Sequence, residues 1–324
     1  MARVRMRDAH GLTLWMRLTI GVGAVVATWF AAQALPGGML FTLTSIAMAA
    51  LWAASLNIVV GFTGQLNLSL GAFIALGAYL GVLGTGFWGW EGCQVLVAVV
   101  LAAGIASFLL SLVVFRAKGL HFALLTAGLS LAVYSLLLAW TDVTGGAAGV
   151  STGGPVILAQ PPKPLAFGPL VLRPQDYLLT TVVLIVVLTL VLSVLLRRRE
   201  GLGWLAVKED ELLSASVGIR VANRKRVAFV FCSVVAAISG VLYAHWIGFI
   251  SPTAFSFVAA TFDPLAMVII GGAGTLAGPI VGAIVVTGLP EVVRDLKDYA
   301  VLIYGVVLLL IIVVAPGGLV QLAK

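Results

Sequence analysis

Charged side chains are scarce in this chain. Only 10% of its 324 residues are Asp, Glu, Lys or Arg, against about 25% in an ordinary soluble domain. A water-facing globule cannot be clothed with so little charge, which excludes a soluble enzyme, a disordered tail and a nucleic-acid binder. Cysteine is almost missing too. Cys93 and Cys232 form no CxxC and have no His/Cys cluster around them, so they read as unpaired thiols rather than as zinc ligands or a disulfide. The three histidines, His10, His121 and His245, are scattered, and no Ser/His/Asp set or HExxH occurs. The dipeptide Gly-Lys is absent, so the chain lacks the GxxxxGK[ST] loop that cradles ATP phosphates. No catalytic residue, bound cofactor or metal is expected. Within the apolar stretches the only acid is Asp263, far short of the carboxylate relays that ion-coupled transporters carry.

What is abundant is hydrophobic surface, at 61% of residues. A membrane-crossing helix needs about 20 mostly apolar residues. Candidate spans fall at 18–35, 39–60, 65–86, 93–115, 119–140, 177–196, 227–248, 257–289 and 300–315. The expected fold is therefore a single all-α domain over 1–324, a polytopic membrane helix bundle of about 8–10 spans. The first span has a basic start and an Ala32-Gln33-Ala34 that resembles a cleavage site. Its long leading region and the many spans after it favour an uncleaved anchor.

Lys and Arg set the orientation. With the segment 1–17 in the cytoplasm, alternation places Arg116, Lys118, Arg197, Arg198, Arg199, Lys208, Arg220, Arg224, Lys225 and Arg226 on the same side as Arg3, Arg5, Arg7 and Arg17. The outer loops hold Lys163 and Arg173. Trp88, Trp90, Trp140 and Trp246 fall at outer ends, as an interfacial belt does. The net charge of +7 is thus a topology signal. The outer loop 141–176 contains Pro155, Pro161, Pro162, Pro164, Pro169 and Pro174, which predicts an extended segment. In the inner loop 197–226, Glu209, Asp210 and Glu211 precede an apolar run that ends at Gly218. Acids at a helix start and glycine just past its end predict a short capped helix.

Two stretches are rich in glycine: Gly61, Gly64 and Gly71, and then Gly271, Gly272, Gly274 and Gly278 followed by Pro279. Small residues let helices approach closely. They also permit broken or re-entrant elements where the freed backbone is met by protein or water. The second stretch favours a break. If 257–289 is a hairpin dipping in from outside, the last span ends in the cytoplasm; if it is one irregular span, the C-terminus is outside. The hairpin is the expectation. One break in each half also fits an internal repeat. Asn57, Gln65, Asn67, Ser69, Thr126, Tyr134 and Tyr243 are polar groups in apolar surroundings, serving either helix–helix hydrogen bonds or a translocation path.

The order and spacing of several pieces resemble a known family. These are Leu56-Asn57-Ile58-Val59-Val60-Gly61-Phe62-Thr63-Gly64-Gln65-Leu66, Lys118-Gly119-Leu120-His121-Phe122-Ala123-Leu124-Leu125-Thr126, Thr144-Gly145-Gly146-Ala147-Ala148-Gly149, and Lys208-Glu209-Asp210-Glu211 with Gly218-Ile219. Ile250-Ser251-Pro252, Gly271–Pro279 and Pro316-Gly317-Gly318-Leu319 complete the set. From about residue 50 onward the chain is similar to the LivM-type permease subunits of bacterial branched-chain amino acid ABC importers. The resemblance implies a plasma (inner) membrane location and a partnership with a second permease in a heterodimer. It also implies two cytoplasmic ATPases that use the ATP, and an external substrate-binding protein. It assigns Glu209, Asp210, Glu211, Ser214 and Gly218 to a coupling helix seated on the ATPase. His121 stands where the family usually has tyrosine, and Leu212-Leu213-Ser214 where alanines are common. The implied cargo is a branched-chain amino acid or a related solute such as urea, a short amide or an aromatic acid. An ion-coupled secondary transporter is the alternative, and a non-transporting scaffold a third reading; ATP dependence separates the first two, and solute flux separates both from the third.

Overall fold

The computed structural model of the protein describes residues 14–117, 119–149, 165–167, 170–293, 305, 315 and 317–322. The N-terminal arginines before Arg17, all the loop prolines except Pro174, and the expected final span apart from Gly305 and Ala315 lie outside the described residues. Six described helices are long and apolar enough to cross a membrane. They are α1 (Leu14–Ala34), α2 (Gly37–Thr63), α4 (Gly92–Val114), α5 (Leu120–Ala139), α7 (Asp176–Leu195) and α10 (Val221–Ile247). Shorter apolar helices are α3 (Leu70–Gly86), α11 (Asp263–Gly271), which continues a π-helical turn at Val258–Phe262, and α12 (Gly278–Val293). The multi-pass all-α expectation holds, apart from a two-residue antiparallel ladder pairing Ala166–Phe167 with Leu170–Val171.

Burial grades the helices. From Ala47 to Val59 nearly every side chain of α2 is buried, as expected for a helix apolar on all sides and enclosed by others. Helices α2, α3 and α4 pack around α10, and α11 and α12 pack on α2. Helix α1 packs on α7 and otherwise turns apolar side chains such as Ile20, Val22 and Phe30 outward. That is costless where the solvent is lipid. The α3–α10 crossing is set by glycine. A Cβ on Gly77 would lie 1.9 Å from the Ala237 carbonyl, and one on Gly240 would lie 2.0 Å from that of Ile74.

One expected element is revised. The inner loop 197–226 is mostly helical: α8 (Arg199–Glu209) and α9 (Glu211–Ser216) fill it, and α10 starts six residues earlier than the span read from the sequence. Glu209 therefore ends α8 rather than opening the capped helix. Asp210 is the boundary, because its extended backbone breaks the helix while its carboxylate accepts from Leu212 N (2.8 Å) and Leu213 N (3.0 Å), the preferred N-cap arrangement. Gly218, at φ 85°, ends α9 as read: Gly218 N donates to Ala215 O and Ile219 N to Ser214 O, both 3.0 Å, the paired bonds of a Schellman motif. In the outer loop, the described part holds a short helix α6 (Thr141–Thr144) and a 3-10 turn at Gly146–Ala148.

Residues 258–293 form a hairpin. A Cβ on Gly271 would strike the Gly278 carbonyl and one on Gly282 the Met267 carbonyl, so α11 and α12 run antiparallel with backbones nearly touching. The turn between them lies at the end of α2 that meets α8.

Candidate functional site

The two glycine-rich stretches divide their labour. Gly64 (φ 71°), Gly272 (φ 118°) and Gly274 (φ 82°) take left-handed backbone and are the true breaks. Gly61 and Gly71 lie within α2 and α3, and Gly271 and Gly278 are the last residue of α11 and the first of α12; at these four, space is the reason for glycine. A Cβ on Gly61 would lie 2.5 Å from Gly274 N, and one on Gly71 would lie 2.9 Å from Thr261 Oγ1.

The first break is the non-helical run 64–69 between α2 and α3. Backbone freed from a helix needs partners, and side chains of the run itself, of α5 and of the π-helical turn provide them. Leu68 N donates to Thr126 Oγ1 of α5 at 3.0 Å, while the Thr126 hydroxyl donates to helix carbonyls of Phe122 and Ala123. Asn67 Oδ1 accepts from Ser69 N (3.0 Å) and Ser69 Oγ (2.8 Å), and its Nδ2 points at Cys232 Sγ of α10 (3.9 Å). Gly71 N donates to Thr261 Oγ1 at 3.0 Å, with Ser130 Oγ 3.4 Å from the same oxygen. Ser130 and Thr261 were not among the polar residues read from the sequence. The sequence signal available was Thr261 two residues before Asp263; the structure adds that it lies in a π-helical turn, of the kind often found at functional sites.

The second break is the turn 272–277. Thr275 Oγ1 donates to Gly272 O (2.8 Å) and accepts from Gly278 N (3.0 Å). Asn57 of α2 clasps the turn from outside, donating to Thr275 O and accepting from Gly274 N, both 2.9 Å. Both breaks therefore meet the last turns of α2, although some two hundred residues separate them in sequence. Tyr134 and Tyr243 are not brought to them. Tyr134 is half-buried one turn beyond Ser130 on α5. Tyr243 belongs to an aromatic group with Trp52, Trp246 and Phe255, its ring 5.2 Å from that of Trp52.

The α8–α9 corner sits against this meeting point. Lys208 Nζ donates to the Gly61 carbonyl at 2.8 Å, a cation at the negative end of α2. Glu211 Oε1 accepts from Gln65 Nε2 at 3.1 Å and pairs with the buried Lys225 of α10. Arg224 pairs with Glu200, and the fully buried Trp204 donates from Nε1 to Arg224 O at 3.0 Å. Ser214 is buried, whereas Leu212, Leu213 and Val217 are 81%, 64% and 70% exposed, an apolar face beyond the membrane-crossing helices. Among the described residues no three His, Cys, Asp or Glu side chains converge as a metal site would require. The arrangement offers neither acid–base nor nucleophilic chemistry. It offers a pair of helix breaks wired to a capped surface helix.

A model of the family described as branched-chain amino acid transport system / permease component matches residues 38–315, from the start of α2 onward. Two proteins named high-affinity branched-chain amino acid transport system permease protein LivM, from Salmonella typhimurium (strain LT2) and Escherichia coli (strain K12), are 35% and 34% identical to the chain over 297 residues. Each alignment covers 83% of this chain and 67% of the relative. No solved structure matches the chain.

Proposed function

Given that the chain belongs to the branched-chain amino acid transport system permease family, we propose that it is a membrane-embedded subunit of an ATP-driven importer. It carries a branched-chain amino acid, or a related small solute such as urea or a short amide, by alternating access. The observation that carries this reading is α9. A six-residue helix is too short to persist alone in water, yet this one is capped at both ends and presents Leu212, Leu213 and Val217 to solvent. Apolar side chains held out on a fixed surface suit a groove in another protein, and the partner that fits is a cytoplasmic ATPase. The chain brings no phosphate-binding loop of its own, so hydrolysis belongs to that partner. A second permease, a second ATPase and an external substrate-binding protein complete the complex in a bacterial plasma membrane, with the basic N-terminal segment cytoplasmic. The two breaks border the inner part of the path, the first held in place by the buried hydroxyls of Thr126 and Thr261.

The test is reconstitution in liposomes. The complex with its second permease, ATPase and receptor is expected to accumulate labelled leucine only with ATP, and the chain alone is expected neither to hydrolyse ATP nor to accumulate solute. Accumulation by the chain alone under an ion gradient would establish the secondary-transporter alternative instead.

A further inference from the structure

Lys225 is a charged side chain only 7% exposed, in the second turn of α10. A buried ammonium persists where a carboxylate meets it, and here the carboxylate comes from Glu211, the first residue of α9. The same oxygen, Oε1, also accepts from Gln65 Nε2. Gln65 is the first residue past the Gly64 turn and is itself buried. One atom of the surface helix thus ties α10 to the first break. Three residues earlier in the chain, Lys208 ties the same corner to the carbonyl of Gly61, and its Nζ is also a close neighbour of Gly274 in the second break. The two ties differ in kind. Lys225 to Glu211 joins two charges, whereas Gln65 to Glu211 joins a neutral amide to a charge and is the weaker of the two.

We propose that the Glu211–Gln65 contact is the linkage through which a displacement of α9 reaches the break at 64–69, with Lys225 as a positioning residue that aims the Glu211 carboxylate at Gln65. The proposal rests on the reading that α9 seats an ATPase. It gives Gln65 a transmitting role in place of a solute contact. When α9 moves, Glu211 carries or releases Gln65, and the run from Gln65 to Ser69 shifts against Thr126 and Thr261. The inner end of the path then changes shape without any large motion of α2 or α10.

The test measures solute molecules taken up per ATP hydrolysed in the complete complex with receptor. Gln65→Glu sets a second carboxylate against Glu211, and Glu211→Gln strips Lys225 of its partner. Each is expected to lower the ratio about tenfold, the equilibrium weight of a lost hydrogen bond to a charged group. The exchanged pair, Gln65→Glu with Glu211→Gln, restores one amide, one carboxylate and one ammonium at the same corner. It is expected to recover the ratio to within about twofold of the native complex, since the coupling lies in the pair. Gln65→Asn leaves Lys225 and Glu211 paired but falls short by a methylene, so it tests the linkage even if Glu211→Gln fails to assemble; a fall in the ratio is expected there too. An unchanged ratio in the Gln65 variants, a proportional loss of uptake and hydrolysis together, or an exchanged pair no better than its single variants would overturn the linkage. Uptake by the native complex without ATP would instead overturn the importer reading, and it is seen before any variant is compared.

Discussion

At the level of single residues, buried polar side chains of one helix do different jobs. Thr44 and Asn57 both lie in α2, with exposures of 0% and 1%. The Thr44 hydroxyl donates to Leu40 O at 2.7 Å, a carbonyl already within its own helix. Asn57 instead satisfies one donor and one acceptor of the turn 272–277. Removing the threonine hydroxyl strands nothing, whereas removing the amide leaves Gly274 N and Thr275 O without it in a part-buried turn. Each stranded group costs about 1–3 kcal/mol. Asn57→Leu is therefore expected to lower the aggregation temperature of the detergent-solubilised protein by several degrees, and Thr44→Val to leave it nearly unmoved. Equal effects would show that the clasp contributes nothing. The sequence makes both residues conspicuous as polar groups among apolar ones. It cannot distinguish them, because the partner of Asn57 is more than two hundred positions away.

Among helices and turns, glycine is the most legible feature, and its role differs from one position to the next. The two glycine-rich stretches do mark the two breaks. Yet only φ separates Gly64, Gly272 and Gly274, which turn the chain, from Gly61, Gly71, Gly271 and Gly278, which make room for a neighbour. Room is a property of what lies across the helix, and composition does not record it. Helix α8 was missed for the same reason. Gly201 and Gly203 each cost about 1 kcal/mol relative to alanine in a helix interior, so the stretch does not advertise a helix. In the fold, a Cβ on Gly201 would lie 2.4 Å from Leu196 Cα, and one on Gly203 would lie 2.9 Å from Arg224 Nε; the glycines let α8 fold tightly under α7 and α10. The expected consequence is sharpest at the α3–α10 crossing. Gly77→Ala or Gly240→Ala drives a methyl group into a facing backbone carbonyl, whereas Gly128→Ala on α5 meets nothing within 4 Å. The first two are expected to reduce sharply the yield of monodisperse protein after extraction, and Gly128→Ala to match the native yield. A normal yield from Gly240→Ala would mean that the two helices separate at little cost.

Across the whole molecule, the hairpin decides how the chain is threaded. Charge could not decide it, because the acids and bases of the segment after α12 nearly cancel; backbone contact does. Gly149 abuts the Ile250 carbonyl, and Thr85 Oγ1 near the end of α3 lies 3.1 Å from His245 Nε2 near the end of α10, which gathers the tryptophan-bearing loops at one end of the bundle. At the other end lie Gly61, Lys208 and Gly274. Helix α11 runs toward that second end and α12 runs back, its Gly288 reaching Ile46 in the first half of α2. Gly318 packs on Gly272, so the C-terminal residues are again at the α8–α9 end. Had 258–293 been one irregular span, Gly317 would face the side of Ala147. Single cysteines at Ala147, Arg220 and Gly317, all exposed positions, placed in a chain lacking Cys93 and Cys232, separate the two arrangements. In intact cells an impermeant thiol reagent is expected to label Ala147→Cys alone, because the basic residues flanking α8 and α10 favour the cytoplasmic side. Arg220→Cys and Gly317→Cys are expected to react together, once the membrane is opened. Labelling of Gly317→Cys alongside Ala147→Cys would overturn the hairpin. With it would go the convergence of both breaks on the α8–α9 corner, since Gly318, which packs on Gly272, would then lie on the far side of the membrane from Lys208.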